Sequence, residues 1–411
     1  MRRMGCNSST SVSAPLPNAV NAEKGIASSG SNQNQRCSEE QAVPTKMTFG
    51  SDMDMGRTPN TEKRMLSSNT LASAEKCIGY ACRKGRKPGG RAPPNQDSWC
   101  VHRVPQGVTA YGVFDGHGEK GHLISDYVKQ VLPRSVVQSV QSCEPSDADA
   151  QVGKVQACFQ QVQKSLYAKP HLAVQQSGTT ATLVLHDREN SRLLVSHVGD
   201  STAVVVKSKV GTAHEMEGIA LTRDHKLTLP DEKERIERHG RIMFDGYCHR
   251  VNKKHGVGPG LNMSRSLGDG VAHRLCGVSD EPEVTQYKLS SQDQALLVCS
   301  DGIWEVISPQ EAADVVKDYG PWQSMDAARK LADMAVARWM AGTQGQMMDD
   351  ITVVLAFLQP SPCGLDRADT GSTAVPATIS PSYVDKANKL TEILRHSSWS
   401  ESTEDDDIEH G

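Results

Sequence analysis

Tyr111-Gly-Val-Phe-Asp115-Gly-His-Gly118 places an aspartate directly after an apolar, strand-forming run and inside a glycine turn. Leu297-Val-Cys-Ser-Asp301-Gly-Ile303 repeats that arrangement far along the chain. Asp349-Asp350 sits immediately before a run that starts at Ile351, and Asn95-Gln-Asp97 precedes a possible strand at Ser98–Val104. Strand ends are rigid, and glycine lets backbone approach an ion closely. A single Asp-Gly is an ordinary turn dipeptide. Four such sites, each against an apolar run, say more, because carboxylates converging at strand ends would repel one another unless cations lay among them. All-oxygen ligands suit hard ions such as Mg2+ or Mn2+ rather than zinc.

Around these turns, strands are predicted at Thr109–Phe114, Thr179–Leu185, Arg192–Val198, Thr202–Val206, Ala295–Cys299 and Ile351–Phe357, each short and bounded by turn-forming residues. Gly199-Asp200-Ser201, between two of them, reads as a hairpin turn. Val152, Val155, Phe159, Val162 and Leu166 fall on one helical face. Ser308-Pro309-Gln310-Glu311 reads as a capping box with proline at the first helical position. A further helix is expected from about Met325 to Ala341, with Ala328, Leu331, Ala335 and Trp339 on one side and Gly342 as its stop. Periodicity alone gives an α+β protein in which sheets pack on each other with helices outside.

The chain has 411 residues and a net charge of -4, with both signs of charge spread throughout, so there is no nucleic-acid footprint. No run approaches eighteen uninterrupted apolar residues, and the polar N-terminus lacks an apolar leader. Eleven cysteines without a repeating spacing suggest a reduced, cytoplasmic protein with no zinc site and no cysteine nucleophile. Residues 1–74 and 359–411 are polar and expected to be disordered tails, the second acidic, around a folded domain at 75–358. If translation began at Met4, Gly5 would fit an N-myristoylation pattern and Cys6 could take palmitate, and membrane attachment would depend on that lipidation. Tyr383, Ala387, Leu390 and Leu394 share a helical face within the acidic tail, although a polar tail is the plainer reading. No heptad is evident, and a monomer is expected.

Phe114-Asp-Gly-His-Gly118, Ser177-Gly-Thr-Thr-Ala181, Val198-Gly-Asp-Ser201, Ser264-Arg-Ser-Leu-Gly-Asp269, Ser300-Asp-Gly-Ile-Trp304 and Asp349-Asp-Ile-Thr352 stand in the order found in the metal-dependent serine/threonine protein phosphatases of type 2C, the PPM family, which residues 75–358 resemble. The resemblance implies a four-layer α-β-β-α sandwich of two packed, mainly antiparallel sheets flanked by helices. It also implies two Mg2+ or Mn2+ ions per site, which share and activate a water against a phosphoprotein substrate. Asp115 would bridge the ions, with the Gly116 carbonyl as a ligand; Asp301 and Asp349 would hold one ion, and Asp97 would help hold the other. His117 is the implied general acid and Arg91 the implied phosphate clamp, although Arg86 and Lys87 are also within reach. Asp350 matches a variable position and is expected to support its turn, and Asp269 is expected to be structural.

Two departures stand out. Gln96 replaces a glutamate found in some relatives, and Glu305 replaces an aspartate that, with the residue matching Asp200, holds a weaker third ion. Residues Asp245–Leu261, basic and glycine-rich, fall where the family has a variable flap that could steer acidic phosphopeptides. The competing reading is a catalytically silent phosphoprotein-binding or membrane-linked adaptor of the same fold. It would be favoured by loss of metal aspartates, all of which are present.

Overall fold

Runs of Val, Leu, Ile and Thr bounded by glycine or aspartate become strands in the computed structural model, which describes residues 46–50, 77–87, 94–104, 107–209, 215–256 and 258–358. The chain opens with β1 (Lys46–Gly50), β2 (Ile78–Arg83), β3 (Asp97–Arg103) and β4 (Val108–Gly118), followed by helices α1 (Gly121–Gln141) and α2 (Ala148–Tyr167). Next come β5 (Ser177–Thr179), β6 (Ala181–Asp187), β7 (Arg192–Val198), β8 (Thr202–Ser208), β9 (Met216–Ala220) and α3 (Pro230–His239). A small hairpin region holds β10 (Gly240–Phe244), β11 (His249–Lys253) and β12 (Pro259–Leu261), and β13 (Leu267–Gly268) and α4 (Gly270–Cys276) follow it. The last elements are β14 (Glu283–Lys288), β15 (Asp293–Cys299), α5 (Asp301–Trp304), α6 (Pro309–Val316), α7 (Ser324–Gly342) and β16 (Ile351–Phe357).

An eight-stranded antiparallel sheet runs β1-β3-β4-β6-β7-β14, with β5 and β13 paired off the end of β4. A five-stranded antiparallel sheet runs β2-β16-β15-β8-β9. Strand residues alternate between faces, and here both faces are apolar because each sheet is covered twice. Trp99, Tyr111, Val113, Val184 and Val195 of the first sheet meet Val205, Leu296, Val298 and Val354 of the second. The outer face of the first sheet packs Phe114 and Leu183 against Ile124, Val128 and Leu132 of α1 and Phe159 and Leu166 of α2. On the second sheet Leu297, Val353 and Leu355 pack against Ala312 and Val316 of α6 and Ala328, Leu331, Ala335 and Trp339 of α7. These are the four α-β-β-α layers expected. The third sheet, β10-β11-β12, stands over a separate small core of Leu227, Ile236, Val251 and Cys276.

Several local expectations hold as written. Ser308 Oγ accepts from the Glu311 N–H and the Glu311 carboxylate accepts from the Ser308 N–H at 2.9 Å, completing the capping box. The helical face of α2 buries Val155, Phe159, Val162 and Leu166, while Val152 at its start is only half-buried.

Two expectations are corrected. Gly199-Asp200-Ser201 is not a hairpin turn, because β7 pairs with β6 and β14 whereas β8 pairs with β15 and β9. The three residues carry the chain from one sheet to the other. Adjacent apolar runs look alike whether they pair or part, since both strands are buried on two faces. Lys46–Gly50, inside the segment expected to be a tail, is a strand that pairs antiparallel with β3 from Lys46 opposite Arg103 to Gly50 opposite Trp99. A sheet edge offers free backbone donors and acceptors to any extended segment. Gly5, Cys6, Arg91 and the Tyr383–Leu394 face lie outside the described residues.

Glu232 of α3 is fully buried and ties the hairpin region to the segment before β13. It accepts from Arg235 at 2.7 and 2.5 Å, from Arg265 at 2.6 Å and from the Ser264 hydroxyl. Burial alone would raise its pKa, but those hydrogen bonds and the Arg265 charge hold it well below the ordinary 4.5. A depressed carboxylate contributes stability that is present above its unfolded value and lost as pH falls below it. Glu232→Gln is therefore expected to cost about 3–5 kcal/mol at neutral pH. Below about pH 4 the gap between the variant and wild-type melting curves should narrow; a gap that stays constant with pH would contradict this assignment.

Candidate metal centre

The acidic turns meet at one end of the sandwich. Asp97 opens β3 directly opposite Asp115 in β4. Asp301 begins α5 just beyond β15, and Asp349 lies just before β16, the strand paired with β15. Asp200 enters from the crossover between the sheets, and Glu305 caps the C-terminus of α5. Neighbouring strands thus deliver carboxylates from both sheets to one place.

Each is held rigidly. Asp97 Oδ2 accepts from Ser300 Oγ and Thr352 Oγ1, both at 2.7 Å, and its own N–H donates to Asn95 Oδ1 at 2.9 Å. The Asp115 N–H donates to Thr180 Oγ1 at 2.9 Å. Trp339 Nε1 donates to the Gly302 carbonyl at 2.8 Å, fixing the turn beside Asp301. Gly116 has no room for a side chain: a Cβ there would lie 2.4 Å from the Gly121 carbonyl oxygen. Asp350 accepts from the Gly85 and Gln96 N–H groups at 2.6 and 2.7 Å, which supports the turn as expected. Gln96 uses its amide to donate to the Gly118 carbonyl at 2.7 Å, a bond that a glutamate carboxylate could not make.

The electrostatics are those of an acidic cage. Burial, followed by Asp350, pushes Asp97 up to about 7 despite its hydrogen bonds from Thr352 and Ser300. Asp115 is raised well above the usual carboxylate range by burial and by Asp97, Asp301, Asp349 and Asp200. Asp301 is raised likewise by burial, Asp200, Asp349 and Glu305. One oxygen each of Asp97, Asp200 and Asp301 (Oδ1 in every case) is buried without a hydrogen-bond partner. Buried carboxylate oxygens normally find donors, so orphans gathered in one place are what a divalent cation would satisfy. The residues fit hard cations.

Two lysines absent from the expected ligand pattern face this cage. Burial disfavours the ammonium of Lys87, yet Asp349, Asp350, Asp115 and Asp301 raise its pKa. Its loop is pinned where the Arg86 N–H donates to the Met348 carbonyl at 2.7 Å and the Met348 N–H returns a bond at 2.8 Å. Lys226 pairs with Asp200 Oδ2, and Asp200, Asp301 and Glu305 raise its pKa against the effect of burial. Lys87 is one of the basic residues the sequence placed within reach of a phosphate, whereas Lys226, on a loop without periodicity, carries no such mark.

His117 stands beside the cage with Nε2 2.6 Å from Asp269 Oδ2, which also accepts from Ser266 Oγ at 2.6 Å. Burial opposes the imidazolium, but the Asp269 charge and hydrogen bond raise its pKa. Gly178 makes room for the pair, since a Cβ there would sit 2.1 Å from Asp269 Oδ2.

A second cluster, His197, His225 and Glu283, has the composition of a ligand set. Its protons say otherwise. His225 Nδ1 accepts the Gly199 N–H at 3.0 Å, so its proton sits on Nε2, 3.5 Å from Glu283 Oε1. His197 Nε2 is 2.9 Å from the Arg223 carbonyl oxygen and must donate to it. The rings stack at 4.5 Å, and burial, followed by His225, lowers His197 to about 4. This is a structural stack whose rings are each already committed to a backbone group. The Cys-x5-Arg spacing of cysteine phosphatases occurs once, from Cys77 to Arg83. The intervening residues are β2 rather than a phosphate loop, and Arg83 pairs with Asp333 at 3.1 Å.

The family model described as Protein phosphatase 2C matches residues 95–343. A probable protein phosphatase 2C 73 of Arabidopsis thaliana is 31% identical over 356 residues, covering 80% of this chain and 90% of that protein. A probable protein phosphatase 2C 48 of Oryza sativa subsp. japonica is 32% identical over 278 residues, covering 62% of this chain and 77% of that one. Among solved structures, a serine-threonine phosphatase 2C from Toxoplasma gondii shares the fold with a TM-score of 0.58 at 19% identity, covering 76% of this chain and 99% of that one. No helix among the described residues is long and apolar enough to cross a membrane. With most of its folded region matched by one family model and most of its length by curated relatives of the same name, this chain belongs to the protein phosphatase 2C family and is an enzyme of the serine/threonine protein phosphatase class.

Proposed function

We propose that the chain hydrolyses phosphoserine or phosphothreonine in phosphoproteins at a binuclear Mg2+ or Mn2+ centre, with residues 75–358 as its catalytic unit. The observation that carries this reading is the convergence of Asp97, Asp115, Asp301 and Asp349 at one end of the sandwich, where Asp97, Asp200 and Asp301 each leave a buried oxygen without a donor. Asp115, the Gly116 carbonyl, Asp301, Asp349 and Asp97 are the residues that would hold the ions. Two divalent ions there would supply Lewis acidity and a water of lowered pKa. The chain does the rest. Lys87, whose loop is pinned beside Asp349 and Asp350, answers the charge of the substrate phosphate alongside the Arg91 that the resemblance implies. His117, turned and held by Asp269, hands a proton to the leaving alkoxide.

The full chain should release phosphate from a phosphothreonine peptide with Mn2+ or Mg2+ and lose that activity in EDTA. Asp301→Asn is expected to lower kcat by at least about a hundredfold. Lys87→Met should raise KM by about tenfold, and Arg91→Met by less. A folded chain without turnover on several peptides would move the reading to a silent phosphoprotein-binding relative.

Metal binding should also show in stability. Asp97 is raised from 3.8 to about 7 in the absence of an ion. The stability of a carboxylate raised in this way is fully present below its unfolded value and lost as pH rises through its folded value. Mn2+ should therefore raise Tm over EDTA more at about pH 8 than at about pH 5. An equal shift at both pH values would argue against these carboxylates as the ligands.

A further inference from the structure

The two carboxylates expected to hold a third ion already have partners supplied by the chain. Asp200, 1% exposed, receives the Lys226 ammonium on Oδ2. Glu305 Oε2 accepts the Tyr247 hydroxyl at 3.0 Å. Neither partner is a stray surface group. The His225 N–H donates to the Gly199 carbonyl at 3.0 Å, and Lys226 itself bridges to Met263, so its side chain reaches back across the crossover that carries Asp200. Tyr247 sits in the turn between β10 and β11, where Asp245 Oδ1 accepts both the Tyr247 and Cys248 N–H groups at 2.8 Å. The longer arm of a glutamate at 305 meets that hydroxyl and joins α5 to the hairpin.

Charge balance points the same way. Asp200 and Glu305 bring two negative charges to this end of the site, and the Lys226 ammonium already offsets one of them. A further divalent ion between Asp200 and Glu305 would lie beside that ammonium, and like charges close together repel.

We propose that Lys226 is the resident cation at this end of the site: its ammonium, with the Tyr247 hydroxyl closing off Glu305, stands in place of a third divalent ion. This rests on the two-ion reading above. One consequence is that activity saturates once two ions are bound, without further activation at higher ion concentration.

The test is Mn2+ binding to the full chain by equilibrium dialysis, with free Mn2+ read by electron paramagnetic resonance. Wild type should bind two ions and Lys226→Arg the same number. Lys226→Met should gain a third, bound at least about tenfold tighter than any third ion on wild type. Glu305→Gln, a mild change at a side chain that would not be a ligand, should leave the count unchanged and each affinity within about twofold. Three ions on wild type, a count still at two in Lys226→Met, or an ion lost in Glu305→Gln would each overturn the proposal. If circular dichroism shows Lys226→Met unfolded, the wild-type and Glu305→Gln counts decide it. Three ions on wild type would sink this inference alone, whereas no bound ion would sink the two-ion reading with it.

Discussion

Like-charge repulsion among buried and half-buried carboxylates is the constraint around which this molecule is arranged. Asp115 and Asp301 are each raised by burial and by several of the same neighbours. No folded chain would gather such groups without something to hold them and something to neutralise them. The holding is done by short hydrogen bonds from Ser300 and Thr352 to Asp97, by the bond that the Asp115 N–H donates to Thr180, and by the register that sets Asp97 opposite Asp115. Part of the neutralising comes from Lys87 and Lys226.

The sandwich is what makes this affordable. Strands buried on both faces have ends that cannot drift, so side chains just beyond them are positioned by the whole core. Trp339 of α7 and Trp304 of α5 extend that rigidity to the Asp301 turn, the latter through bonds of 3.1 Å to the Thr202 and Cys299 carbonyls. His117 shows the same economy. Its ring is oriented by Asp269, which lies far away in sequence at the left-handed residue ahead of α4. The expectation that Asp269 is structural rather than a ligand fits this contact, but its reach to His117 has no sequence signature.

Where the reading of the chain succeeded, the signal was local and periodic. The strand at Ile351–Phe357 is observed with the expected bounds, and the Ser308 cap and the buried face of α7 follow from spacing alone. Where it fell short, pairing or a diluted pattern was responsible. No helix is read at Gly121–Gln141, because Pro133 and the intervening polar residues mask the line of Ile124, Val128, Leu132 and Val136 that α1 buries. The crossover at Gly199–Ser201 looks like a hairpin until the partners of β7 and β8 are known.

The sequence by itself determined the alternation of strands and helices, the acidic turns at strand ends and, through six ordered motifs, the family. Those properties reside in neighbouring residues, whose spacing is visible along the chain. Only the tertiary structure decided which sheet each strand joined, that Lys226 and Tyr247 close on Asp200 and Glu305, and that Asp269 grips His117. Such contacts depend on where distant segments meet, and that is fixed by packing two sheets face to face rather than by any pattern a single segment carries.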